Sequence, residues 1–356
     1  MDELEHVMRL CEKPLAGIAV LINAFLIFMI SAHSTTLIGN YKYLMIYIAF
    51  FEMSFALLEF FHIPIVFAKG SACFLMINLK EGEYPAWLAT SMNLVFYGFF
   101  GATINMLCIH FVYRYAAVSG IDLLETFRSW KLLVWFSLPL INGAVWIGSA
   151  CYFFKRTDFF DNFLFEQYSA KRGFRAADFS YFGAMFYPIT ANRTQSVHWK
   201  SVEGGLLVLS LITLSTITII YFGIRCFLVM RSFVAISSES ARYKRLQEQL
   251  FYALVLQTLI PMVLLHIPSS LVVLTMIFNV SEEWTGSLLS SSIAFYPAIN
   301  PIPTIFVVDS YRKALQNYIR IFKNFLLCRV VTVSPFDAPT SQITMTHATS
   351  FNVPQC

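Results

Sequence analysis

Seven stretches of this chain are apolar for long enough to cross a hydrocarbon layer, and no other feature limits its fold as strongly. They lie at about 14–33, 43–68, 89–113, 131–154, 203–230, 249–278 and 288–308. A membrane helix needs about 17–25 such residues. Within lipid no water reaches the backbone, so each run must close its own hydrogen bonds as a helix. Only 13% of the residues are charged, and the mean hydropathy is +0.64, whereas soluble domains average about 25% charged. The expected fold is an all-α membrane protein, a seven-transmembrane helix bundle covering residues 14–308.

Residues 1–13 carry Asp2, Glu3, Glu5 and Glu12 against Arg9 and Lys13. An acidic start without a positive n-region is not a cleavable signal peptide, so a short tail leading into a retained first helix is expected. Orientation follows from Lys and Arg in short loops. One side, with 34–42, 114–131, 225–248 and the C-terminal tail, holds 14 of the 25 basic residues. The other holds 11, of which seven lie in the long loop 155–202, the kind least sensitive to the rule. The N-terminus is therefore expected outside and the C-terminus inside. The glycosylation candidates Asn192 (Asn-Arg-Thr) and Asn279 (Asn-Val-Ser) both fall outside on this assignment.

The tail opens with SYRKALQNYIRIFKNFLLCR, in which Tyr311, Leu315, Ile319, Phe322 and Leu326 recur at helical spacing opposite Lys313, Arg320 and Lys323. This predicts a short amphipathic eighth helix over 309–329, lying on the inner membrane surface. Cys328 is a palmitoylation candidate at its end. Residues 330–356, rich in Ser, Thr and Pro, are expected to be a disordered cytoplasmic tail.

Seven cysteines are scattered without a CxxC pair, which indicates neither a zinc site nor a disulfide framework. Cys11, Cys73 and Cys151 fall on the outer side, and whether they pair is open at this stage. No G-x-S-x-G, P-loop, H-E-x-x-H or intramembrane Asp pair is present, so an enzyme is not expected, and no feature points to nucleic acid. The loop 155–202 holds eleven Phe and Tyr between Phe159 and Tyr187. That much aromatic surface suits a lid over the bundle mouth or contact with the membrane interface.

Polar residues inside the spans are the functional candidates, because a charge facing lipid is costly. Asn23, Glu52 and Asn300 sit at the expected midplane of spans one, two and seven. They either form a polar cluster holding a sodium ion or proton at Glu52, or simply tighten packing. Glu59 and His62 lie one turn apart near the outer end of span two. An E-x-x-H pair without further ligands does not make a metal site, so a contact in a ligand pocket or an interhelix bond remains. Asn93 and Tyr97 in span three and His266 in span six complete the candidate ligand set. Pro261 and Pro268 make a pivot in span six. Pro297, Pro301 and Pro303 loosen the inner half of span seven.

Four segments carry a family resemblance: GNYKYLMIYIAFFEMSF, HFVYRYAAV, RLQEQLFYALVLQTLIPMVLLHIPS and YPAINPIPTIFVVDSYRKA. In this order, over about 14–325, the chain resembles the nematode serpentine chemoreceptors of the Str class. The resemblance implies a chemosensory, olfactory G-protein-coupled receptor in the plasma membrane, in a sensory-neuron cilium. It also implies a small-molecule odorant and a heterotrimeric G protein as partners. Tyr113-Arg114-Tyr115 occupies the place of the rhodopsin-like Asp/Glu-Arg-Tyr, without the acidic neighbour. Asn300-Pro301 stands where the family has Asp-Pro. The resemblance assigns coupling or switching to Tyr113, Arg114, Tyr115, Pro261, Pro301, Tyr311 and Arg312, while a snorkelling Arg114 is the structural alternative. The rival function is a seven-span ligand-gated ion channel or transporter.

Overall fold

The computed structural model describes residues 2–82, 85–169, 175, 178–188, 195–236 and 240–326. Its helices are α1 (Asp2–His33), α2 (Tyr41–Phe61), α3 (Ala86–Ser119), α4 (Leu132–Phe153), α5 (Trp199–Ile236), α6 (Ala241–Ile277), α7 (Glu283–Val307) and α8 (Asp309–Leu326). The first six are long and apolar enough to cross a membrane; α7 passes the same test only together with α8, from which it is bent by 98°, so the spans number six, or seven with that pair taken as one. Helix α1 already begins at Asp2, ahead of the apolar span Cys11–His33, so the residues expected as a tail are helical.

The bundle is all-helical as expected, with one addition that hydropathy does not reveal. The second apolar run stops being helical at Phe61, and Ile65–Lys69 is a strand, β1. The cause is local: a proline at 64 disfavours helical backbone at Ile63, and the β-branched and aromatic residues that follow suit a strand. The expected span 43–68 is thus corrected to a helix followed by a strand. β1 pairs with β2 (Ala72–Asn78) across the two-residue turn Gly70–Ser71, where Gly70 has φ +58, a turn that needs glycine.

The aromatic loop supplies the third strand. β3 (Phe179–Met185) pairs antiparallel with β2, giving the order β1-β2-β3. Before it, Thr157 caps a two-turn helix, Asp158–Leu164, by accepting from the Phe160 N–H. Phe67, Phe74, Phe160, Tyr168 and Phe179 pack into a small aromatic core of their own. The sheet is tied across one end of the bundle, called the outer end after the orientation expected from the loop charges. Val66 N–H donates to Ser290 Oγ of α7, Gly183 N–H to the Phe154 carbonyl after α4, and Gly70 bridges Ser281 before α7. The described part of the aromatic loop thus packs with the hairpin after α2 across that end of the bundle.

Within the bundle α3 is the most buried helix and α5 the least. Helices α3 and α4 approach closely at Gly101, where an added Cβ would lie 2.3 Å from the Trp146 indole. Small residues permit such contacts between membrane helices. The chain divides into Met1–Ala314 and Leu315–Cys356, the boundary falling inside α8. Asn192, Cys328 and 330–356 lie outside the described residues.

Candidate functional site

Pro301 breaks α7. Its ring nitrogen has no proton to return to the carbonyl four residues earlier, and that carbonyl, Pro297 O, receives the Asn23 Nδ2 of α1 at 2.8 Å instead. One helix thus repairs the hydrogen bond that a proline removed from another. Beside it, Asn300 Nδ2 and Tyr296 Oη (3.1 Å) both donate to Glu52 Oε1, and Gln257 Nε2 of α6 reaches the Asn300 carbonyl at 3.4 Å. Asn23, Glu52, Tyr296 and Asn300 are all fully buried. The three residues expected at the midplane share one region, but only Asn300 touches Glu52, while Asn23 meets the α7 backbone. Sequence reasoning missed Tyr296 and Gln257. Tyr296 carried a signal, since it precedes Asn300 by one helical turn.

Toward the outer end, His62 closes α2 and stacks on Phe96 at 5.8 Å, while His266 meets the edge of Phe100 at 6.0 Å. Phe96 and Phe100 are one turn apart on α3, so the two imidazoles flank successive turns, about 6 Å apart along the helix. Both histidines are buried, and none of their four ring nitrogens has a hydrogen-bond partner. Trp146 Nε1, packed on Phe100 and Tyr97, and Glu59 Oε2 are likewise buried and unpaired. Buried polar atoms are ordinarily paired; among the described residues unpaired ones also occur toward the other end, at His110 Nε2, Arg114 Nε and Gln247 Oε1. Trp146 was not anticipated, because an indole in an apolar run reads as packing.

Two further candidates belong to the sheet contact. Asn93 Nδ2 donates to the Leu75 carbonyl at 3.3 Å and the Ser180 carbonyl at 3.2 Å, tying α3 to β2 and β3. Its side chain adjoins the His62 ring without closing a hydrogen bond. Tyr97 packs between Trp146 at 4.9 Å and Phe182 of β3 at 5.2 Å. His266 ends a π-helical turn, Met262–His266, that lies between Pro261 and Pro268. Such turns widen a helix and recur at functional sites.

At the inner end Arg114 is 1% exposed, which overturns the snorkelling alternative. Its Nη2 donates to the Gln247 carbonyl of α6 at 2.8 Å, and its guanidinium lies 5.2 Å from the Tyr41 ring centre. Tyr41 stacks on Tyr113 at 5.1 Å, and Tyr113 meets the edge of Phe127. Tyr115 accepts from Arg225 of α5 at 3.3 Å. Asp309, at the corner between α7 and α8, pairs with Arg245 of α6 at 3.1 Å and with Arg312, and its N–H donates to Gln249 Oε1. Contacts with Gln249, Arg245 and Arg312 hold its carboxyl below the usual range. Tyr311 is buried against Ser34, hydroxyl to hydroxyl at 2.8 Å.

Cys11, Cys73 and Cys151 are free thiols. Asn279 is exposed in the turn before α7, with φ 58.

The family model for the serpentine type 7TM GPCR chemoreceptor Str matches residues 8–316. The chain is 32% identical to the G-protein coupled receptor str-217 of Caenorhabditis elegans, over 85% of this chain and 87% of that protein. It is 25% identical to the serpentine receptor class r-10 of the same species, over 81% and 84%. A helical bundle with this order of spans, matched over most of its length by that family, leaves one assignment: the chain belongs to the Str family of seven-transmembrane, G-protein-coupled chemoreceptors.

Proposed function

We propose that this chemoreceptor binds a small odorant between α2, α3, α4 and α6 in the outer half of the bundle and activates a heterotrimeric G protein from its inner end. The observation that carries the ligand half is the pair His62 and His266, buried with all ring nitrogens unpaired on successive turns of α3. Around them Phe96, Phe100, Tyr97 and Trp146 supply an apolar wall, the composition of a small-molecule pocket. For the coupling half, the inner turn of α6 is clasped on two sides: by Arg114 through the Gln247 carbonyl, and by Asp309 through Arg245 and Gln249. Release of α6 there, with the proline-bounded π-turn above as its pivot, opens a surface for the G protein. Such a rearrangement requires two packings only a few kcal/mol apart.

Glu52 is the proposed site of a proton or sodium ion, because a carboxylate with only neutral donors around it needs one or the other in a dry interior. The receptor is placed in the plasma membrane of a sensory cilium with its N-terminus outside. The channel alternative needs a continuous file of ionisable side chains. Instead, Phe55, Phe96 and Phe99 pack ring on ring between Glu52 and the outer half.

The test is an odorant screen on cells expressing the receptor, read by G-protein-dependent signalling. An N-terminal tag should be reached by antibody on intact cells and a C-terminal tag should not. Reversed labelling, or ligand-evoked current that persists without G proteins, sinks the reading.

A further inference from the structure

A cavity lies against Phe182, the residue of β3 that packs on the Tyr97 ring. It has a volume of about 460 Å³ and opens between the outer ends of α3 and α4 and strand β3. Its apolar wall includes Leu94, Ala150, Phe179 and Phe182.

Most polar groups of the wall are already used, Asn93 Oδ1 being an exception. Thr90 and Ser180 share a hydrogen bond at 2.7 Å, and the Asn93 amide donates to two sheet carbonyls. Arg156 pairs with Asp161 at 2.8 Å and donates to the Phe179 carbonyl at 3.2 Å. Lys155 lines the same cavity, is exposed, and makes no ion pair among the described residues. Among the described residues, a ligand here meets mostly hydrophobic surface and, at Lys155, a cation without an ion pair.

The surroundings place this cavity at the membrane boundary. Lys155 follows α4 by two residues, and the exposed aromatics Trp87 and Tyr152 stand at the outer ends of α3 and α4. Tryptophan and tyrosine gather at that level of a bilayer, where an amphiphile keeps its chain in lipid and its headgroup in water.

We propose that this cavity binds a single-chain carboxylate of the fatty-acid class, its chain against Leu94, Ala150 and Phe182 and its carboxylate on the Lys155 ammonium. The site adjoins the proposed odorant region through Tyr97, which packs on both Trp146 and Phe182. Its occupant bears on β3, the strand that Asn93 ties to α3.

Cys151 is an exposed free thiol in the wall, and it provides the readout. The full chain in lipid nanodiscs is alkylated with N-ethylmaleimide, with decanoate or decanol present, and labelling is followed by peptide mass spectrometry. The exposed Cys11 serves as internal reference. Decanoate is expected to slow labelling of Cys151 saturably and leave Cys11 unchanged, while equimolar decanol protects far less. Lys155→Gln should weaken protection by about threefold, the scale of an exposed charge pair. Equal protection by decanol, equal slowing at Cys11, or full protection in Lys155→Gln each overturns the proposal. The comparison of decanoate with decanol on the parent protein stands even if the variant does not fold.

Discussion

Arg114 Nη2 and the carbonyl oxygen of Gln247 lie 2.8 Å apart at the inner end of the bundle, with both residues buried. The rhodopsin-like Asp/Glu-Arg-Tyr pattern would give that arginine an acidic neighbour. Here the neighbour is Tyr113, and the guanidinium meets a main-chain acceptor on the facing helix. A backbone carbonyl cannot be removed by substitution, so the clasp depends on the arginine alone.

Arg114→Ala therefore leaves the Gln247 carbonyl buried and unpaired, at a cost of about 1–3 kcal/mol. We predict a melting temperature in detergent lowered by a few degrees and ligand-evoked signalling suppressed, with odorant affinity unchanged. Normal signalling from a correctly expressed Arg114→Ala would remove the arginine from the coupling machinery.

His62 and His266 give the opposite stability signature. Neither imidazole donates or accepts within the protein, so His62→Phe and His266→Phe delete polar groups that burial already penalises. Thermal stability should hold or rise while odorant sensitivity falls about tenfold or more, as for a lost buried hydrogen bond to ligand. Stability that drops along with the response would mark the histidines as structural.

The Asn23–Pro297 contact exists because residue 301 is a proline. Asn23→Leu should destabilise the parent by about 1–3 kcal/mol. In a Pro301→Ala background, where the restored N–H can serve the Pro297 carbonyl, the same change should cost much less. Thermal melts of the four proteins form a double-mutant cycle, and strict additivity would show that the two sites are not coupled.

Glu52→Gln keeps an oxygen for Tyr296 and Asn300 but abolishes ionisation, whereas Glu52→Leu strands both donors. Basal signalling should lose its dependence on sodium and pH in the first variant, and folding yield should drop in the second. A Glu52→Gln receptor that signals like the parent at every sodium concentration and pH would reduce Glu52 to packing.

Asp309 titrates below the usual carboxylate range in the folded chain. Such a group stabilises the fold above its unfolded value, about pH 4, and loses that contribution as pH falls through the lowered folded value. The pairs are partly exposed, so the effect is on the order of 0.5 kcal/mol. The melting-temperature gap between parent and Asp309→Asn should be constant from pH 5 to 8 and narrow below about pH 4. A gap independent of pH would deny the ion pairs any role.

The seven spans were legible because hydrophobic length is a local property, written wholly within each segment. The contact of Glu52 with Asn300 was legible for a related reason. A glutamate or asparagine within an apolar run must find partners, and Glu52 and Asn300 were the residues available to each other. Local pattern ended at Pro64, where an unbroken apolar run passes from helix to strand while its hydropathy stays high. That the strand pairs through β2 with Phe179–Met185, far along the chain, depends on contacts no single segment contains. The role of Arg114 was hidden in the same way. A cation at a helix end snorkels or buries according to whether a neighbour offers an acceptor, and only the packing of α6 against α3 put the Gln247 carbonyl there. The unpaired state of His62, His266 and Trp146 was likewise settled by the tertiary structure, because having no partner is a property of everything around a side chain.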